Sequence, residues 1–334
     1  MASSSTAELP PSIIPIFTTV KAYREWRKQA FDAGKSVGYV PTMGALHEGH
    51  LSLVRRSLAE NDLTVVSIFV NPAQFAPHED LATYPRTLPR DLKLLEAETN
   101  ISTSGTRTPS AVFLPTVSEM YPLGIVQNVS EQKGTFVEVK GYGHQMEGTS
   151  RPNFFRGVAT VVTKLFNVVQ PTNAYFGQKD IQQALLLKRL CRDLLMPHPE
   201  PDNLKIIPTS RDPSDELALS SRNAYLTPEG RKVAPTLRRA LLAAESAWKS
   251  GLLKCQCIAA AIAVVDSQVA QSTGPDVSIK LDYVEMNDAN TFDVLDSETQ
   301  KADKDLVILS GALYVDKTRL IDNILLGNAE KVLS

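Results

Sequence analysis

The sequence predicts an α/β protein with a doubly wound parallel sheet and a smaller C-terminal α+β domain. Short apolar segments alternate with helix-period segments over about 200 residues, which favours strands joined by crossover helices. One of these segments, 63–70 (LTVVSIFV), is almost continuously apolar, as expected of a strand buried on both faces. After about residue 209 the pattern changes. We therefore expect a Rossmann-like domain at 12–209 and a small domain at 210–334.

The elements follow in chain order. First-domain strands are expected at 36–41, 63–70, 111–115, 173–177 and 204–208. Its helices, which show apolar stripes at helical spacing, are expected at 51–61, 89–98, 155–170 and 180–195. The second domain is expected to hold helices at 228–250 and 254–270 and strands at 277–286 and 306–315. Polar stretches expected to be surface insertions lie at 99–110, 124–134 and 288–304.

Composition excludes several classes of function. The 35 Lys and Arg residues against 37 Asp and Glu residues give 35 − 37 = −2, so no nucleic-acid partner is expected. No apolar run approaches the roughly 20 residues that span a bilayer, so no membrane partner is expected. The 3 cysteines suit a reducing compartment, and a cytoplasmic location is expected. The Ser- and Pro-rich residues 1–12 are expected to form a short disordered leader.

Two motif-like segments do not support the functions they suggest. The segment 33–36 (AGKS) looks like the end of a phosphate-binding P-loop, but Gln29 stands where that loop needs its first glycine. His47 and His50 are separated by Glu48 and Gly49, one residue too few for the zinc-protease helix. No Cys/His cluster completes a tetrahedral metal site.

The segment 39–50 (YVPTMGALHEGH) runs from a strand into the start of a helix. A glycine-containing turn of this kind points backbone N–H groups and the positive end of a helix towards an anion. His47 and His50 would add donors for phosphate oxygens. On these residues alone, a helix start with surface histidines remains an equally open interpretation.

The His47-Glu-Gly-His50 turn matches the His-x-Gly-His signature of the nucleotidyltransferases, and four further segments narrow the resemblance to one family. The sequence from about residue 15 to 325 resembles the pantothenate synthetases, also called pantoate–β-alanine ligases. The four segments are Phe69-Val-Asn-Pro-Ala-Gln-Phe75, Tyr84-Pro-Arg86, Tyr175-Phe-Gly-Gln-Lys-Asp-Ile-Gln-Gln183 and Leu219-Ser-Ser-Arg222.

The resemblance implies a two-step reaction on a sheet of the nucleotidyltransferase type. ATP and pantoate would give pantoyl adenylate and pyrophosphate, and β-alanine would then form pantothenate and release AMP. The resemblance also implies Mg²⁺, held mainly by the ATP phosphates with its protein ligand unknown, and a homodimer formed through the N-terminal domain.

The resemblance also assigns roles to residues. His50 would be a proton donor, and His47, Lys179 and Arg222 would complete the catalytic set, with both histidines acting as imidazolium ions. Leu219–Arg222 would be a mobile clamp on the triphosphate. Substrate contacts for pantoate and β-alanine would come from Gln74, Gln183, Asn71 and Tyr84. The ATP-binding residues implied by the family are Pro41, Thr42, Met43, Gly44, His47, His50, Gly177, Gln178, Lys179, Asp180, Leu219, Ser220, Ser221 and Arg222.

Two residues depart from the family pattern. Phe154 stands where a histidine is common, and Glu216 stands at the usual glycine before the clamp, which is expected to stiffen its hinge. Two alternative functions stay open. The first is another adenylate-forming acid–amine ligase of the same superfamily, and the second is a non-catalytic nucleotide-binding protein.

Overall fold

The computed structural model describes residues 9–75, 81–102, 105–272 and 277–333; residues 1–8 of the expected leader lie outside this range. The strands are β1 Ile16–Phe17, β2 Val37–Thr42, β3 Leu63–Ile68, β4 Asn100–Ser102, β5 Gly105–Arg107, β6 Ala111–Phe113, β7 Asn173–Gly177, β8 Leu204–Ile207, β9 Ile279–Asp288, β10 Leu306–Val315 and β11 Thr318–Gly327. The α-helices are α1 Val20–Asp32, α2 Glu48–Glu60, α3 Leu88–Glu96, α4 Val117–Met120, α5 Glu147–Ser150, α6 Phe154–Val169, α7 Ile181–Asp193, α8 Pro228–Val233, α9 Thr236–Lys249 and α10 Lys254–Gln271.

The expected parallel sheet is present. Six strands lie in the order β1-β6-β3-β2-β7-β8, and every pairing among them is parallel. The chain winds outwards in both directions from β2, so the strand order reverses between β2 and β7. Ligands of open α/β sheets bind outside the carboxyl ends of the strands at such a reversal. The residues that follow Thr42 and Gly177 are therefore the first place to look for a site.

Close packing fixes the sheet against its helices. Gly38 of β2 lets α2 approach, because a Cβ at this position would lie 2.1 Å from the Ser57 hydroxyl oxygen. Gly157 of α6 does the same for the turn after β3, since its Cβ would lie 2.2 Å from the Ala73 carbonyl oxygen. The first contact sets the end of α2 against the beginning of β2, and the second places the start of α6 beside the turn that follows β3.

The C-terminal part is a three-stranded antiparallel sheet in the order β11-β10-β9, which packs against α9 and α10. The apolar core is continuous between the two sheets, because Phe292, Ile308 and Leu325 join the cluster that contains Phe166. The proposed domain boundary at 209/210 remains a prediction. No helix among the described residues is long and apolar enough to cross a membrane.

Sequence patterns missed the long strand β11 and the short strands β1, β4 and β5, and they merged two helices. β11 went unrecognised because the polar residues Asp322 and Asn323 interrupt its apolar pattern at the centre. The helix expected at 228–250 is two helices, α8 and α9, with the break at Pro235. Proline has no N–H for the helical hydrogen-bond ladder and therefore tends to begin a helix rather than continue one.

The expected surface insertions have different outcomes. The segment 124–134 is exposed or half-buried throughout. Part of 99–110 forms the small hairpin β4–β5, while residues 103–104 lie outside the described residues. The expectation for 288–304 is wrong in one respect, since Phe292 and Leu295 are buried in the core. The polar composition of this stretch led to the prediction of a surface loop, although Phe292 and Leu295 pack in the core.

We predict that Gly157→Ala destabilises the protein by about 1–3 kcal/mol, because the added methyl group forces α6 away from the Ala73 carbonyl. Chemical denaturation measures this loss. The matched control is Gly143→Ala, whose methyl would make only ordinary contacts at 3.4 Å or more. Equal stability of the two variants would contradict the packing argument.

Candidate active site

The turn between β2 and α2 is held by the buried carboxylate of Asp91. Its oxygens accept hydrogen bonds from the amides of Ala45, at 3.0 Å, and Leu46, at 2.9 Å. Gly44 has φ +82° and its amide donates to the Thr42 hydroxyl oxygen at 3.1 Å. The expectation that the amides of this turn face an anion is therefore wrong for residues 44–46, whose N–H groups are used within the protein.

The two histidines of the turn have defined tautomers. His47 caps α2, and its Nδ1 accepts the Gly49 amide at 3.1 Å. The Nδ1 atom of His50 accepts the His47 amide at 3.4 Å, and the ring centroids are 4.1 Å apart. Since each Nδ1 is an acceptor, each Nε2 carries the proton. Gly49 is needed because a Cβ there would lie 2.9 Å from the His47 ring.

Both rings are neutral at pH 7. Burial lowers the pKa of His50 to about 3, helped by the nearby His47. Burial likewise lowers the pKa of His47 to about 4, with the positive charge of Lys179 acting in the same direction. The expected imidazolium form is therefore not the form that this site favours. Its histidines are neutral Nε2–H donors.

The turn after β7 carries Lys179 into the same region. Lys179 is only 16% exposed and lies 3.6 Å from the Asp180 carboxylate. The preceding residue, Gln178, is buried, and its amide nitrogen donates to Asn323 Oδ1 at 3.2 Å. Asn323 Nδ2 donates in return to the carbonyl oxygens of Gln178 and Lys179, both at 2.9 Å. The Gln178 side chain and its backbone carbonyl are thus both bonded to the C-terminal sheet.

The predicted clamp lies beside the histidine turn. A Cβ on Gly49 would be 3.9 Å from the Leu219 carbonyl oxygen, and the Ser210 hydroxyl is 2.9 Å from that of Ser52 in α2. The amide of Leu219 donates to the Ser210 carbonyl at 3.0 Å. Ser220 then caps a short 3-10 helix, Ser221–Tyr225.

Two side chains of the clamp region face the predicted substrate loop. Arg222 is exposed, and Ser221 is hydrogen bonded to Tyr84. Burial raises the pKa of Tyr84, so its hydroxyl stays protonated. The structure therefore places Tyr84 against the clamp and brings the two segments together.

The predicted pantoate residues lie after β3 and in α7. Asn71 is buried, and all of its amide groups are used: it donates to Gln74 Oε1 and the Gly157 carbonyl, and it accepts from Ala73 and Tyr121. Its place is behind Gln74, whose Nε2 reaches the Met43 sulfur at 3.2 Å. Gln74, the first of the two predicted substrate glutamines, is therefore adjacent to the turn between β2 and α2.

Gln183, the second predicted substrate glutamine, differs from Gln74 in its hydrogen bonding. Gln183 lies in the first turn of α7 and is half-buried. Within the described ranges its amide has no protein partner, unlike its neighbour Gln182, which is buried and bonded to Gln145. Gln183 is the one of this pair whose side chain is left for a ligand.

The family departure at Phe154 has a local explanation. The Arg151 guanidinium lies 3.9 Å from the centroid of the Phe154 ring and also donates to the Gln74 carbonyl at 3.2 Å. Phe154 thus helps to hold the Arg151 guanidinium beside Gln74. Arg156 points elsewhere, stacking on Phe136 at 4.0 Å.

The departure at Glu216 lies at the base of the clamp. This residue has φ +60°, a left-handed conformation that glycine adopts without strain. Its carboxylate pairs with Arg238 at 3.1 Å. The strained position is therefore tied to α9, while the stiff hinge itself stays a prediction.

A small cavity lies between the clamp and the C-terminal sheet, and its lining includes Lys179 but neither the histidine turn nor Gln74. Lys179, Ser220 and Arg222 line it from the first sheet and the clamp, and Arg238 and Arg319 line it from the C-terminal part. Arg319 is already paired with Glu147 and Asp282. Arg238 is likewise paired with Glu216, whereas Lys179 has only the half-exposed Asp180 at 3.6 Å. Lys179 and Arg222 are therefore the cations most available to an anionic ligand, and the neutral histidines and the clamp hydroxyls can add hydrogen bonds.

Sequence reasoning missed two residues that shape this site. Asp91 could have been noticed as an acid in the first turn of α3, where caps are common, but nothing local pointed to the amides 45 residues earlier. Asn323 lay in an unrecognised strand. Neither role is visible without the tertiary structure, because both contacts join segments that are distant in the chain.

Fold and site together define a class: a nucleotide-dependent α/β enzyme that handles anionic substrates at the carboxyl ends of its strands. The family profile for pantoate-β-alanine ligase matches residues 15–325. The pantoate–β-alanine ligase of Saccharomyces cerevisiae is 44% identical over 328 residues, covering 93% of this chain and 99% of the yeast protein. The pantothenate synthetase of Thermotoga neapolitana is 44% identical over 314 residues, with 93% and 99% covered.

Solved structures agree with the sequence relatives. A pantothenate synthetase from Thermus thermophilus superposes with a TM-score of 0.76 at 39% identity, covering 93% of this chain and 99% of that one. A pantoate–β-alanine ligase from Francisella tularensis, complexed with β-γ ATP and β-alanine, gives 0.67 at 33% identity, with 93% and 97% covered. This chain belongs to the pantoate–β-alanine ligase family, and the activity it shares with that family is the ATP-dependent condensation of pantoate with β-alanine.

The depressed histidine pKa values predict a pH dependence of stability. Below the ordinary histidine pKa of 6.5 the unfolded chain takes up protons that the folded rings refuse until about pH 4 or 3. The free energy of unfolding therefore falls as the pH is lowered from 7 to 5, by about 1–2 kcal/mol per histidine. Urea denaturation at both pH values measures the loss.

His50→Gln should remove its share of this pH dependence, because glutamine does not titrate. The control is His144→Gln, which changes an exposed histidine outside the turn and should leave the dependence as in the parent protein. An unchanged pH dependence in His50→Gln would contradict a neutral buried His50.

Proposed function

We propose that this chain forms pantothenate through a pantoyl-adenylate intermediate at the carboxyl ends of β2, β3 and β7, beside the clamp. The carboxylate of pantoate attacks the α-phosphorus of ATP and pyrophosphate leaves. The β-alanine amine then attacks the acyl carbon and AMP leaves. The observation that carries this proposal is the meeting of the histidine turn, Lys179 and the clamp Leu219–Arg222 beside Gln74.

Positioning and charge stabilisation would supply most of the catalysis, because both reactants of the first step are anions. Lys179 and Arg222 would neutralise the triphosphate. His47 and His50, as neutral Nε2–H donors, would hydrogen bond to phosphate oxygens without the cost of first acquiring a proton. The negative charge of bound ATP favours protonation of His50 as charge develops on the leaving pyrophosphate. His50 can then still act as the expected proton donor.

The nucleotide contacts of the turns would come mainly from the backbone. In the β2 turn these are Pro41, Thr42, Met43 and Gly44, with Gly44 offering its carbonyl because its N–H donates to Thr42. After β7 they are Gly177, Gln178 and Asp180, with Gln178 offering its N–H because its carbonyl accepts from Asn323. The Thr42 hydroxyl supports this reading, because it already donates to the Ser67 carbonyl at 2.7 Å. Ser220 and Ser221 would add hydroxyl donors as the clamp closes over the phosphates and excludes water.

Gln74 and Gln183 would bind pantoate, since an amide can pair with both hydroxyl and carboxylate groups. Asn71 would act by holding Gln74 in place, and its fully used amide supports a positioning role over direct contact. Tyr84 would likewise act indirectly, because its hydrogen bond to Ser221 links it to the clamp.

Mg²⁺ would reach the site mainly on the ATP phosphates, where it neutralises charge. Among the described residues no three His, Cys, Asp or Glu side chains form a metal cage. Asp180, which is 51% exposed, could contribute one oxygen, while those of Asp91 are occupied by amides. We further propose a homodimer and a cytoplasmic location; unpaired Cys191, Cys255 and Cys257 support a reducing compartment.

Pantoate-dependent exchange of labelled pyrophosphate into ATP tests the proposal, because exchange requires a reversible adenylation step. We expect exchange with pantoate and Mg²⁺, without β-alanine. His50→Ala is the matched inactive control and should lose about 10²–10³-fold in exchange rate. Exchange supported by another acid and not by pantoate would favour a different acid–amine ligase. Absence of exchange with every acid would indicate a non-catalytic protein.

A further inference from the structure

Strand β11 carries two adjacent polar residues in an otherwise apolar strand. Asp322 and Asn323 are 4% and 2% exposed, and Ile324 and Leu325 follow them in the core. Burial of polar groups is costly unless each finds a partner. Both side chains are paired, and their partners belong to the two loops that carry the phosphate-binding groups.

Asn323 holds the Lys179 turn. Its Nδ2 donates to the carbonyl oxygens of Gln178 and Lys179, and its Oδ1 accepts from the Gln178 side chain. Two of these hydrogen bonds hold the carbonyl groups on either side of the Lys179 Cα, from which the Lys179 side chain projects, and the third ties the Gln178 side chain to the same amide. The direction of that side chain therefore depends on Asn323.

Asp322 holds the base of the clamp. It forms a bidentate pair with Arg211 at 2.7 and 2.9 Å, and the same guanidinium donates to the Glu216 carbonyl at 3.1 Å. The backbone of Arg211 pairs with Ala218 in an antiparallel bridge. The clamp begins at the next residue, Leu219.

Successive side chains of a strand point to opposite faces, so β11 reaches one loop from each face. We propose that Asp322 and Asn323 are positioning residues that set the distance between Lys179 and the clamp cation Arg222, and that ATP binding depends on both. The C-terminal sheet is in this way part of the nucleotide site although neither residue reaches the phosphates. This inference rests on the proposed function for the roles of Lys179 and Arg222.

The test is the binding of ATP to Asn323→Ala, measured by calorimetry and by steady-state kinetics. We expect the Kd and KM for ATP to rise about tenfold, because the Lys179 turn loses three hydrogen bonds. The KM values for pantoate and β-alanine should stay within about twofold, since Gln74 and Gln183 lie on other elements. Arg211→Lys provides a second variant, in which the bidentate pair is lost and the KM for ATP should also rise.

The matched control is Asn287→Ala. Asn287 is a buried amide in β9 of the same sheet, and its Nδ2 donates to the Phe292 carbonyl at 2.9 Å, away from the cavity. It should lose comparable thermal stability and keep the parent Kd for ATP. An unchanged Kd in both Asn323→Ala and Arg211→Lys, or an equal rise in Asn287→Ala, would overturn the inference.

Calorimetry separates this inference from the proposed function. If the parent protein binds ATP but shows no pantoate-dependent exchange, the proposed function fails, and the Kd values of the variants still decide the role of β11. If exchange is normal and the Kd for ATP does not change in the variants, only the role of β11 fails.

Discussion

The active site depends on one buried carboxylate. Asp91 is fully buried, and it would be costly there without the two backbone amides and the Thr87 hydroxyl that bond to it. These bonds hold Ala45 in a left-handed conformation, with φ +51°, and so direct the chain to the point where His47 can cap α2. The cap in turn orients His50. The position of both histidine donors thus follows from an acid on a different helix.

The roles that we propose for these residues explain how a chain with a net charge of −2 would handle a nucleotide triphosphate. Positive charge is placed at a few points, chiefly Lys179 and Arg222, and hydrogen-bond donors of neutral histidines add to it. Neutral donors suit a site that must bind and release anions at each turnover. Arg238 and Arg319 are each paired with a carboxylate, of Glu216 and Glu147 respectively. They therefore do not make the cavity a general binding site for anions.

Much of the fold could be predicted from the sequence because parallel strands carry a simple signal. β7 was predicted at its observed bounds, and β3 within two residues, since buried apolar runs need no tertiary information. The nucleotide turn and the clamp came from motifs in which residue type and spacing are fixed by chemistry. Contacts between distant segments could not be predicted. Local patterns do not show that the Asp91 carboxylate accepts hydrogen bonds from backbone amides of another turn.

The same limit applies to protonation and to polar residues in strands. The sequence suggested imidazolium ions, since a histidine near phosphate is often charged, but the pKa depends on burial that only the packed structure defines. β11 was missed because Asp322 and Asn323 break the apolar pattern on which strand prediction relies. Both failures occur at functional positions, where a protein departs from the rules of its core.

The central claim is that the pantoate carboxylate attacks the α-phosphorus of ATP. Turnover with pantoate labelled by ¹⁸O in both carboxylate oxygens tests it most directly, with mass spectrometry of the products. Attack through the carboxylate, followed by release of AMP from the acyl carbon, predicts one ¹⁸O atom in AMP and one in pantothenate. Unlabelled AMP, with the second ¹⁸O atom in inorganic phosphate or water, would contradict the account.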